Sequence, residues 1–449
     1  MSTLTAIATG HAIRTHQTSS VQTTADALGR IRDADPVLGA FVLVDDAGAG
    51  ASAAAADRDL AAGLDHGPLQ GIPVAVKDIF DMAGLPTSCG SSTSFGTDRA
   101  EADADVVAEL HRSAAVLVGK TTLHEFAYGA TGDRSAHGPS RNPHDPTRVS
   151  GGSSGGSAVA VAAGMVPLSI GTDTAGSVRV PAALCGIVGF KPAFDALSTK
   201  GVYPLAPSLD HVGVFGNSVE DTQMCYQTLC GTMGNDRRQQ SRADRVGWIV
   251  PEAIAPADPR ITAATRGLLE RAGLAVDDAT STVLDHAPGE LFSIFTTLQL
   301  REAFEVHRDH LDADEHLIDP GVVSRLKAGQ NVSDGAYADA HWARSRFRAS
   351  VEVALGEHAI LALPTTPITA PRLYQMQTEI SGVTVEARSA LLAFTSPWNL
   401  TGSPAISVPA GFVDGLPFGL QLITSPGNEA TLFATAAAVA QLLAHSDER

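Results

Sequence analysis

Hydrophobic and polar positions change their spacing several times along the chain, and these changes predict a succession of helices and strands. Apolar residues recur at helical spacing in the first 65 residues, and short, unbroken apolar runs of strand length begin near residue 69. The predicted helices are Thr24–Ile31, Ala51–Leu64, Asp105–Arg112, Leu291–Leu311, Tyr337–Leu355 and Glu429–Ala444, with a helix start at Thr121–Tyr128. The predicted strands are Ile72–Val76, Ala115–Gly119, Ala359–Pro364, Pro404–Ala410 and Gly419–Ile423. Strands that alternate with helices in this way predict an α/β protein.

The pattern also divides the chain into regions that no linker separates. Residues 1–65 form an N-terminal helical region, and residues from about 225 to 355 are more polar and helical. Strands before residue 225 and after residue 355 can belong to one sheet, with the middle region forming a variable cap that contributes to substrate binding. The sequence contains no internal repeat and no long Pro- or Ser-rich linker, so we expect residues 1–449 to form a single domain.

Composition narrows the classes of protein that fit. The chain is 44% hydrophobic and 18% charged, values typical of a globular protein with a large core. Its formal net charge of −18 argues against a nucleic-acid-binding protein, because contacts with phosphates require a basic face. We therefore expect a small-molecule ligand and no nucleic-acid partner.

The sequence indicates neither a disulfide framework nor a metal site. Its four cysteines are Cys89, Cys185, Cys225 and Cys230. No two of them form a Cys-x-x-Cys pair, so zinc and redox motifs have no support. His124-Glu125 lacks the second histidine of a zinc-protease helix, because Tyr128 stands at that position. Glu125 is expected to anchor a helix near the functional site instead.

Neither a leader peptide nor a membrane span is indicated. The N-terminus has no basic stretch followed by an apolar core, which a secretory signal requires. The longest apolar run, Ala158–Leu168, is too short to cross a bilayer and contains Gly164 and Pro167. We therefore expect a soluble, cytoplasmic protein, and a homodimer is the default assembly for such a chain.

Two turns rich in glycine and serine, Ser150–Ser157 and Gly171–Arg179, flank an apolar segment. Glycines allow backbone N–H groups to converge on one point, where they can stabilise the oxyanion that forms when a serine attacks a carbonyl. Each turn offers a serine for this attack. Neither turn contains a histidine that could act as the base.

The first turn formally matches the Gly-x-Ser-x-Gly nucleophile motif of α/β-hydrolases, which would make Ser153 the nucleophile. Its acid and base would then come from Asp285 with His286, or from Asp309 with His310. None of these residues stands in a distinctive loop, and a five-residue pattern is weak evidence by itself. A phosphate-binding loop does not fit, because the turn has no Gly-Lys-Ser/Thr ending.

The second turn offers a different arrangement. Ser177 follows Thr174-Ala-Gly, so consecutive N–H groups can face an oxygen beside its hydroxyl. Lys77 follows the apolar strand Ile72–Val76 directly. If Lys77 is buried, desolvation lowers its pKa, and the neutral amine can accept a proton near pH 7. A second serine would then relay the proton from Ser177 to Lys77.

On these residues the chain resembles the amidase signature family. The matching motifs are Gly71–Asp78, Glu125–Gly129, Arg141–Pro143, Ser150–Ser157, Gly171–Arg179, Cys185–Pro192, Ser208–Asp210 and Gly415–Ile423. They occur in order and extend over nearly the whole chain. The resemblance implies an α/β fold built on a large, mixed, twisted β-sheet with helices on both faces.

The resemblance also implies a Ser–cis-Ser–Lys triad. Ser177 corresponds to the nucleophile that forms the acyl-enzyme, Ser153 to the bridging serine in a cis peptide, and Lys77 to the base. The amides of Thr174, Ala175, Gly176 and Ser177 correspond to the oxyanion hole, and Ser154, Asp173 and Arg179 to supporting positions. The implied reaction is hydrolysis of a carboxylic amide, and it requires neither a metal nor an organic cofactor.

The substrate and the biological setting are predicted less sharply. Asn142–Asp145 and Pro204–Gly213 resemble bacterial amidases that act on small or urea-like amides, such as carboxybiuret and allophanate hydrolases. Such acids require a cationic residue that binds a carboxylate, and the sequence does not identify it. Two alternatives share the motifs: the glutaminase subunit of a tRNA-dependent amidotransferase, and a scaffold that kept the fold without activity.

Overall fold

The computed structural model describes residues 5–93, 98–232, 241–284 and 287–444. The strands are β1 (Phe41–Val44), β2 (Pro73–Lys77), β3 (Val116–Thr121), β4 (Arg141–Asn142), β5 (Asp145–Val149), β6 (Leu168–Asp173), β7 (Val188–Lys191), β8 (His211–Gly216), β9 (Arg245–Trp248), β10 (Ala275–Asp278), β11 (Ile360–Pro364), β12 (Gln377–Ile380), β13 (Val383–Glu386), β14 (Ala405–Val413) and β15 (Leu416–Thr424). The helices are α1 (Ala6–Arg14), α2 (Ser20–Leu38), α3 (Asp46–Ala61), α4 (Asp105–Arg112), α5 (Gly155–Ala162), α6 (Arg179–Cys185), α7 (Val219–Leu229), α8 (Pro259–Arg271), α9 (Thr280–Val283), α10 (Glu290–Asp314), α11 (Pro320–Gln330), α12 (Asp334–His358), α13 (Ala387–Leu392), α14 (Pro397–Thr401) and α15 (Glu429–Ala444). None of these described helices has both the length and the hydropathy needed to cross a membrane.

One mixed sheet organises the described residues. Its eleven strands lie in the order β1-β3-β2-β6-β8-β7-β14-β15-β11-β9-β10. β2 pairs in parallel with β3 and β6, whereas β6 pairs antiparallel with β8. The predicted α/β class and the large mixed sheet are therefore confirmed.

Helices cover both faces of this sheet, and the alternation of side chains along its strands shows how. Val74 and Val76 of β2 belong to one hydrophobic cluster, together with residues of α4 and α11. Ala75, between them, belongs to another cluster, with residues of α2, α3 and α5. Successive residues of a strand point to opposite faces, so an uninterrupted apolar run is buried on both sides.

Three short strands fall in the regions that the sequence pattern indicated as helical. β1 lies within residues 1–65 and pairs antiparallel with β3. β9 and β10 lie within residues 225–355 and extend the far edge of the sheet, where β9 pairs in parallel with β11. Each has four residues. Periodicity distinguishes poorly between helix and strand over so short a run.

The prediction that a helix begins at Thr121–Tyr128 is wrong. β3 continues through Thr121, and only Glu125–Ala127 forms a single 3-10 turn. Phe126 and Ala127 have φ values of 51° and 58°, in the left-handed region that an α-helix cannot include. The chain therefore folds back here as an irregular loop, which becomes one wall of the functional site.

Candidate active site

Lys77 ends strand β2 and is fully buried. Its Nζ donates hydrogen bonds to Ser153 Oγ at 2.8 Å and to Thr172 Oγ1 at 2.6 Å. Thr172 lies on the neighbouring strand β6, and the parallel pairing of Val76 with Ile170 brings the two strand ends together. The base predicted from sequence is therefore in direct contact with one of the two predicted serines.

The surroundings of Lys77 favour its neutral form. Burial lowers the pKa of Lys77 to about 7, and the carboxylates of Asp210 and Asp173 only partly oppose this effect. Transfer of an ammonium group from water to a site without a contacting carboxylate is costly, so a buried amine releases its proton more easily. Near neutral pH, a substantial fraction of Lys77 can accept a proton.

The loop that carries Ser153 is held on both sides. The Gly152–Ser153 peptide bond is cis. Gly152 N–H donates to Ala130 O at 2.8 Å, and His124 N–H donates to Ser153 O at 3.0 Å. Gly151 has a φ of 84°, and a Cβ there would lie 2.8 Å from Pro181 Cα. Only glycine fits at this position without moving α6.

Ser154 joins the first glycine–serine turn to the second. Its Oγ donates to Thr172 O at 3.0 Å and accepts from Thr172 N–H at 3.2 Å. Its own N–H donates to Ser177 O at 3.3 Å. Because Ser154 follows Ser153 directly, this bond brings Ser177 beside the serine that contacts Lys77. Ser177 is 4% exposed, at the edge of the buried site.

Asp173 organises the second turn around itself. Gly176 N–H donates to its Oδ1 at 2.8 Å, and Val178 N–H donates to its Oδ2 at 3.2 Å. Arg179 donates from Nη2 to Oδ1 at 2.8 Å and from Nε to Oδ2 at 3.0 Å, and both side chains are fully buried. This bidentate pair fixes the turn between the two residues, in which Ser177 stands.

Residues more than 200 positions away in the sequence also accept hydrogen bonds from Arg179. Arg179 Nη1 also donates to Thr395 O at 2.9 Å and to Gln421 Oε1 at 2.7 Å, and its Nη2 donates to Asn399 Oδ1 at 2.7 Å. Burial by itself would raise the pKa of Asp173, but Arg179 and the remaining partners hold that pKa below its ordinary value. The sequence analysis identified Asp173 and Arg179 and missed the other three residues.

The four backbone amides that were predicted to form the oxyanion hole differ in whether they already donate a hydrogen bond within the protein. Gly176 N–H donates to Asp173, whereas the N–H groups of Thr174, Ala175 and Ser177 meet no protein acceptor among the described residues. These three amides are therefore the donors available to a substrate oxygen. The Thr174 hydroxyl donates to Asp210 Oδ1 at 2.6 Å, which fixes the start of the turn.

Sequence reasoning also missed Thr172 as a partner of the base. Thr172 lies within the motif Gly171–Arg179, but nothing local distinguishes its hydroxyl from that of Thr174. Asp210 stood in a recognised motif without an assigned role. Its carboxyl accepts from the backbone N–H groups of Leu205 and Ala206, and burial raises its pKa to about 6.

The alternative acid–base partners for Ser153 gain no support. Asp309 lies on α10 with a side chain that is 90% exposed, and it pairs with Arg308. Asp285 and His286 lie outside the described residues, as does the side chain of His310.

Glu125 was expected to anchor a helix near the functional site. Its carboxylate accepts a hydrogen bond at 2.6 Å from the backbone N–H of Asp319, and Asp319 directly precedes helix α11.

Gly176→Ala is expected to reduce activity strongly, because the site has no room for a methyl group at this position. Gly176 has a φ of 131°, and a Cβ would lie 2.1 Å from Thr395 Oγ1. Thr395 is fully buried and donates to Ala175 O at 2.6 Å, so it cannot move aside without disturbing the turn. We expect kcat/KM to fall by about 100-fold or more, since small misplacements of reacting groups have effects of that size.

Gly50→Ala is the matched control for this substitution. Gly50 lies in helix α3, and a Cβ there would have no described heavy atom within 4 Å apart from the backbone of its own helix. Its activity should equal that of the unsubstituted protein, with a stability gain of about 0.5–1 kcal/mol. Equal activity in Gly176→Ala would contradict a rigid turn at Ser177.

Comparisons with known proteins identify the family to which the chain is similar over nearly its whole length. The Amidase family model matches residues 22–433. AtzE, a 1-carboxybiuret hydrolase subunit of Pseudomonas sp. (strain ADP), is 36% identical over 432 residues, which cover 93% of this chain and 94% of that protein. A glutamyl-tRNA(Gln) amidotransferase subunit of Symbiobacterium thermophilum is 34% identical over 475 residues, covering 96% and 95% of the two chains. A solved amidase structure superposes with a TM-score of 0.91 at 31% identity, covering 98% of this chain and 100% of that one.

Proposed function

Because the chain belongs to the amidase family and is an amidohydrolase, we propose that it cleaves small carboxylic amides through an acyl-enzyme on Ser177. Lys77 serves as the base, and Ser153 relays the proton between them. The observation that carries this proposal is the 2.8 Å hydrogen bond from the buried Lys77 amine to Ser153 Oγ. Neither glycine–serine turn contains a histidine that could act as the base. The contact between Lys77 and Ser153 supplies a base beside one of the two serines instead.

In the first half-reaction, Ser177 Oγ attacks the carbonyl carbon of the amide. Its proton passes to Ser153 Oγ, and the proton of Ser153 passes to the neutral Lys77 Nζ. The carbonyl oxygen becomes an oxyanion, which the N–H groups of Thr174, Ala175 and Ser177 stabilise. The C–N bond then breaks, and the relay returns a proton to the leaving nitrogen.

In the second half-reaction, water attacks the Ser177 ester by the same route. The relay removes a proton from the water, and a second tetrahedral intermediate collapses with release of Ser177 Oγ. The sum of both halves is one amide and one water converted to one carboxylic acid and one amine or ammonia. Lys77 and both serines return to their initial protonation states.

Ser154, Asp173 and Arg179 position the reacting groups and exchange no proton with the substrate. Ser154 bonds both to the turn of Ser177 and to strand β6, next to the Thr172 hydroxyl that contacts Lys77. We further propose that residues 225–355 supply part of the substrate-binding wall. Helix α11 supports this proposal, because its first residues and Arg325 line a cavity together with His124, whose backbone N–H donates to Ser153 O.

An amide panel with mass detection of acylated protein tests the proposal. The panel is applied to the unsubstituted protein and to Ser153→Ala and Lys77→Ala. The expected adduct maps to Ser177 in the unsubstituted protein and does not accumulate in either variant. An adduct on Ser153 would instead support the nucleophile motif of α/β-hydrolases. Turnover of glutamine only, and only with a partner protein, would support the amidotransferase alternative.

The rate of hydrolysis is expected to rise with pH through neutrality. Only the neutral amine of Lys77 accepts a proton, and its pKa is lowered to about 7. Below this pH the protonated lysine predominates, so kcat/KM should fall about tenfold for each pH unit of further acidification. A pH series of kcat/KM with an uncharged amide measures this midpoint.

The control for the pH series is Lys327→Ala. Lys327 is half-exposed on α11 and pairs with Glu315, so its removal should leave the midpoint unchanged. Lys77→Ala should abolish the pH-dependent phase together with the activity. Full activity in Lys77→Ala, or a midpoint above pH 9, would eliminate Lys77 as the base.

We also propose that the enzyme functions in the cytoplasm. All four cysteines are free, and three of them are buried. Thiols persist in this state where the compartment is reducing. Fractionation of the native host with a cytoplasmic marker tests this proposal.

A further inference from the structure

A short turn at residues 205–210 contacts the start of the second glycine–serine turn through the carboxylate of Asp210. The Oδ2 atom of Asp210 accepts from the backbone N–H groups of Leu205 and Ala206 at 2.9 and 3.1 Å, so the carboxylate closes its own turn. Its Oδ1 atom accepts from the Thr174 hydroxyl at 2.6 Å. Asp210 is therefore bonded to the first of the residues whose amides are available to a substrate oxygen.

Two side chains from the long helices of the middle region hold the other side of this turn. Glu302 of α10 accepts from Ser208 N–H at 2.8 Å and from the Ser208 hydroxyl at 2.6 Å. Arg344 of α12 donates from Nη1 to Ser208 Oγ at 3.0 Å and from Nη2 to Ser208 O at 2.9 Å. Because each of these four hydrogen bonds involves a charged group, the turn is firmly attached to both helices.

The Asp210 carboxylate also lies near the proposed base. A cavity of about 200 Å³ is lined by Asp210, Thr174 and Thr172, and the Thr172 hydroxyl contacts Lys77 Nζ at its opposite end from the strand. Burial raises the pKa of Asp210 to about 6, so the carboxylate is mostly ionised at neutral pH. Its negative charge can therefore act on the ammonium form of Lys77.

Other titratable groups surround Lys77 as well. Those that interact with its charge include the carboxylates of Asp210 and Asp173, the Cys89 thiol and the His124 ring. The thiol and the ring are neutral near pH 7, because burial raises the pKa of Cys89 and lowers the pKa of His124. Burial lowers the pKa of Lys77, and Asp210 opposes this effect more than Asp173 does.

We propose that Asp210 is a positioning residue of the hydrolytic reaction: it holds Thr174 where the backbone N–H of that residue faces the substrate oxygen, and Glu302 and Arg344 hold Asp210 in turn. This role rests on the proposed function, because it concerns the oxyanion hole of that same site. Asp210 exchanges no proton with the substrate. Its hydrogen bond to Thr174 and its negative charge can be removed by different substitutions, which separates their effects.

Thr174→Val removes the hydrogen bond and keeps the charge of Asp210. We expect kcat to fall by about tenfold or more with little change in KM, because the oxyanion forms only after the substrate is bound. The midpoint of the pH series of kcat/KM should stay the same. Thr174→Ser keeps the hydroxyl and should restore kcat to within about twofold of the unsubstituted protein.

Asp210→Asn removes the charge. The amide nitrogen of Asn cannot accept from Leu205 and Ala206 as the carboxylate does, so kcat should fall as in Thr174→Val. The midpoint of kcat/KM should also move down by about half a pH unit, since no carboxylate at this position stabilises the ammonium form of Lys77. A residue with only a structural role would not move this midpoint. Asp309→Asn is the matched control, because Asp309 is exposed on α10 and its removal should change neither value.

Glu302→Met tests the support from the helices. Glu302 is a cleaner probe than Arg344, which also donates to Leu400 O in α14. We expect kcat to fall about threefold or more in Glu302→Met, but by less than about twofold when Thr174→Val is already present, because both changes act through one contact. Glu302→Gln retains an acceptor for Ser208 N–H and should keep most of kcat. Thermal unfolding of each variant verifies that it is folded.

The two proposals fail in different ways. Labelling of Ser177 by a fluorophosphonate, in which the serine oxygen bonds to phosphorus and fluoride leaves, gives the pH midpoint without amide turnover. An unchanged kcat in Thr174→Val, or an unchanged midpoint in Asp210→Asn, would overturn the positioning role while the unsubstituted protein still hydrolyses amides. Fully additive effects of Glu302→Met and Thr174→Val would remove Glu302 from it. If the unsubstituted protein hydrolyses no amide and Ser177 is not labelled, the proposed function itself fails.

Discussion

Ser177→Ala is expected to lower kcat/KM for every amide substrate by at least about 10⁴-fold and to abolish the acyl-enzyme. The substitution removes the only atom that attacks the carbonyl carbon in the proposed reaction, and the remaining site can only bind the substrate. Ser153 is not expected to replace it, because Ser153 is fully buried beside Lys77, whereas Ser177 lies at the edge of the site. Steady-state rates and intact-protein mass measure both effects.

Ser345→Ala is the matched control for this substitution. Ser345 is exposed on α12, and its hydroxyl donates only to His341 O of the preceding turn. Its activity should equal that of the unsubstituted enzyme. An acyl adduct that survives in Ser177→Ala, or a loss of activity below tenfold, would remove Ser177 from the role of nucleophile.

Arg179→Met is expected to have the largest effect on stability. The substitution leaves Asp173 fully buried without the cation that donates to both of its oxygens. Removal of one partner from a buried ion pair costs about 3–5 kcal/mol, because the other charge remains desolvated. Unfolding of a chain this long has an entropy of roughly 0.9 kcal/mol per kelvin, so calorimetry should show Tm lower by about 3–5 °C at pH 7.

The loss caused by Arg179→Met should shrink in acid. In the unsubstituted enzyme the pKa of Asp173 is held below its ordinary value, so this carboxylate stabilises the fold above about pH 4 and loses that contribution as pH falls through its folded pKa. Without Arg179, burial raises the pKa instead, and protonation removes the unpaired charge. The difference in Tm between the two proteins should therefore be smaller at pH 5 than at pH 7.

Arg348→Met is the control for the stability effect of Arg179→Met. Arg348 and its partner Glu352 are both mostly exposed, and such a pair contributes little to stability. Its Tm should stay within about 1 °C of the unsubstituted value. A similar result for Arg179→Met would mean that the Asp173 carboxylate does not depend on Arg179.

Long periodic segments were predictable from the sequence, whereas short ones were not. The apolar spacing at Leu291–Leu311 and Tyr337–Leu355 predicted α10 and α12, because many turns repeat the same signal. β9 and β10 were missed, since each is a four-residue strand that is defined by its pairing partners. The helix predicted to start at Thr121–Tyr128 does not form, because Phe126 and Ala127 have left-handed backbone conformations. The spacing of apolar residues contains no information about such conformations.

The order of motifs along the chain was enough to identify the family and to name Ser177, Ser153 and Lys77 as a set. It was not enough to find their partners. Thr172 contacts Lys77 through the register of two strands that lie 95 residues apart in sequence. Asn399 and Gln421 reach Arg179 from more than 200 residues away.

What the sequence determined by itself is the chemistry: a lysine after an apolar strand, two glycine–serine turns and the motifs of an amide hydrolase. What only the tertiary structure decided is the environment of each group. Burial of Lys77 lowers its pKa, and the packing of α10 and α12 brings Glu302 and Arg344 to the same serine, Ser208. Both outcomes depend on desolvation and on distances between segments remote in sequence, which a linear pattern of residues does not contain.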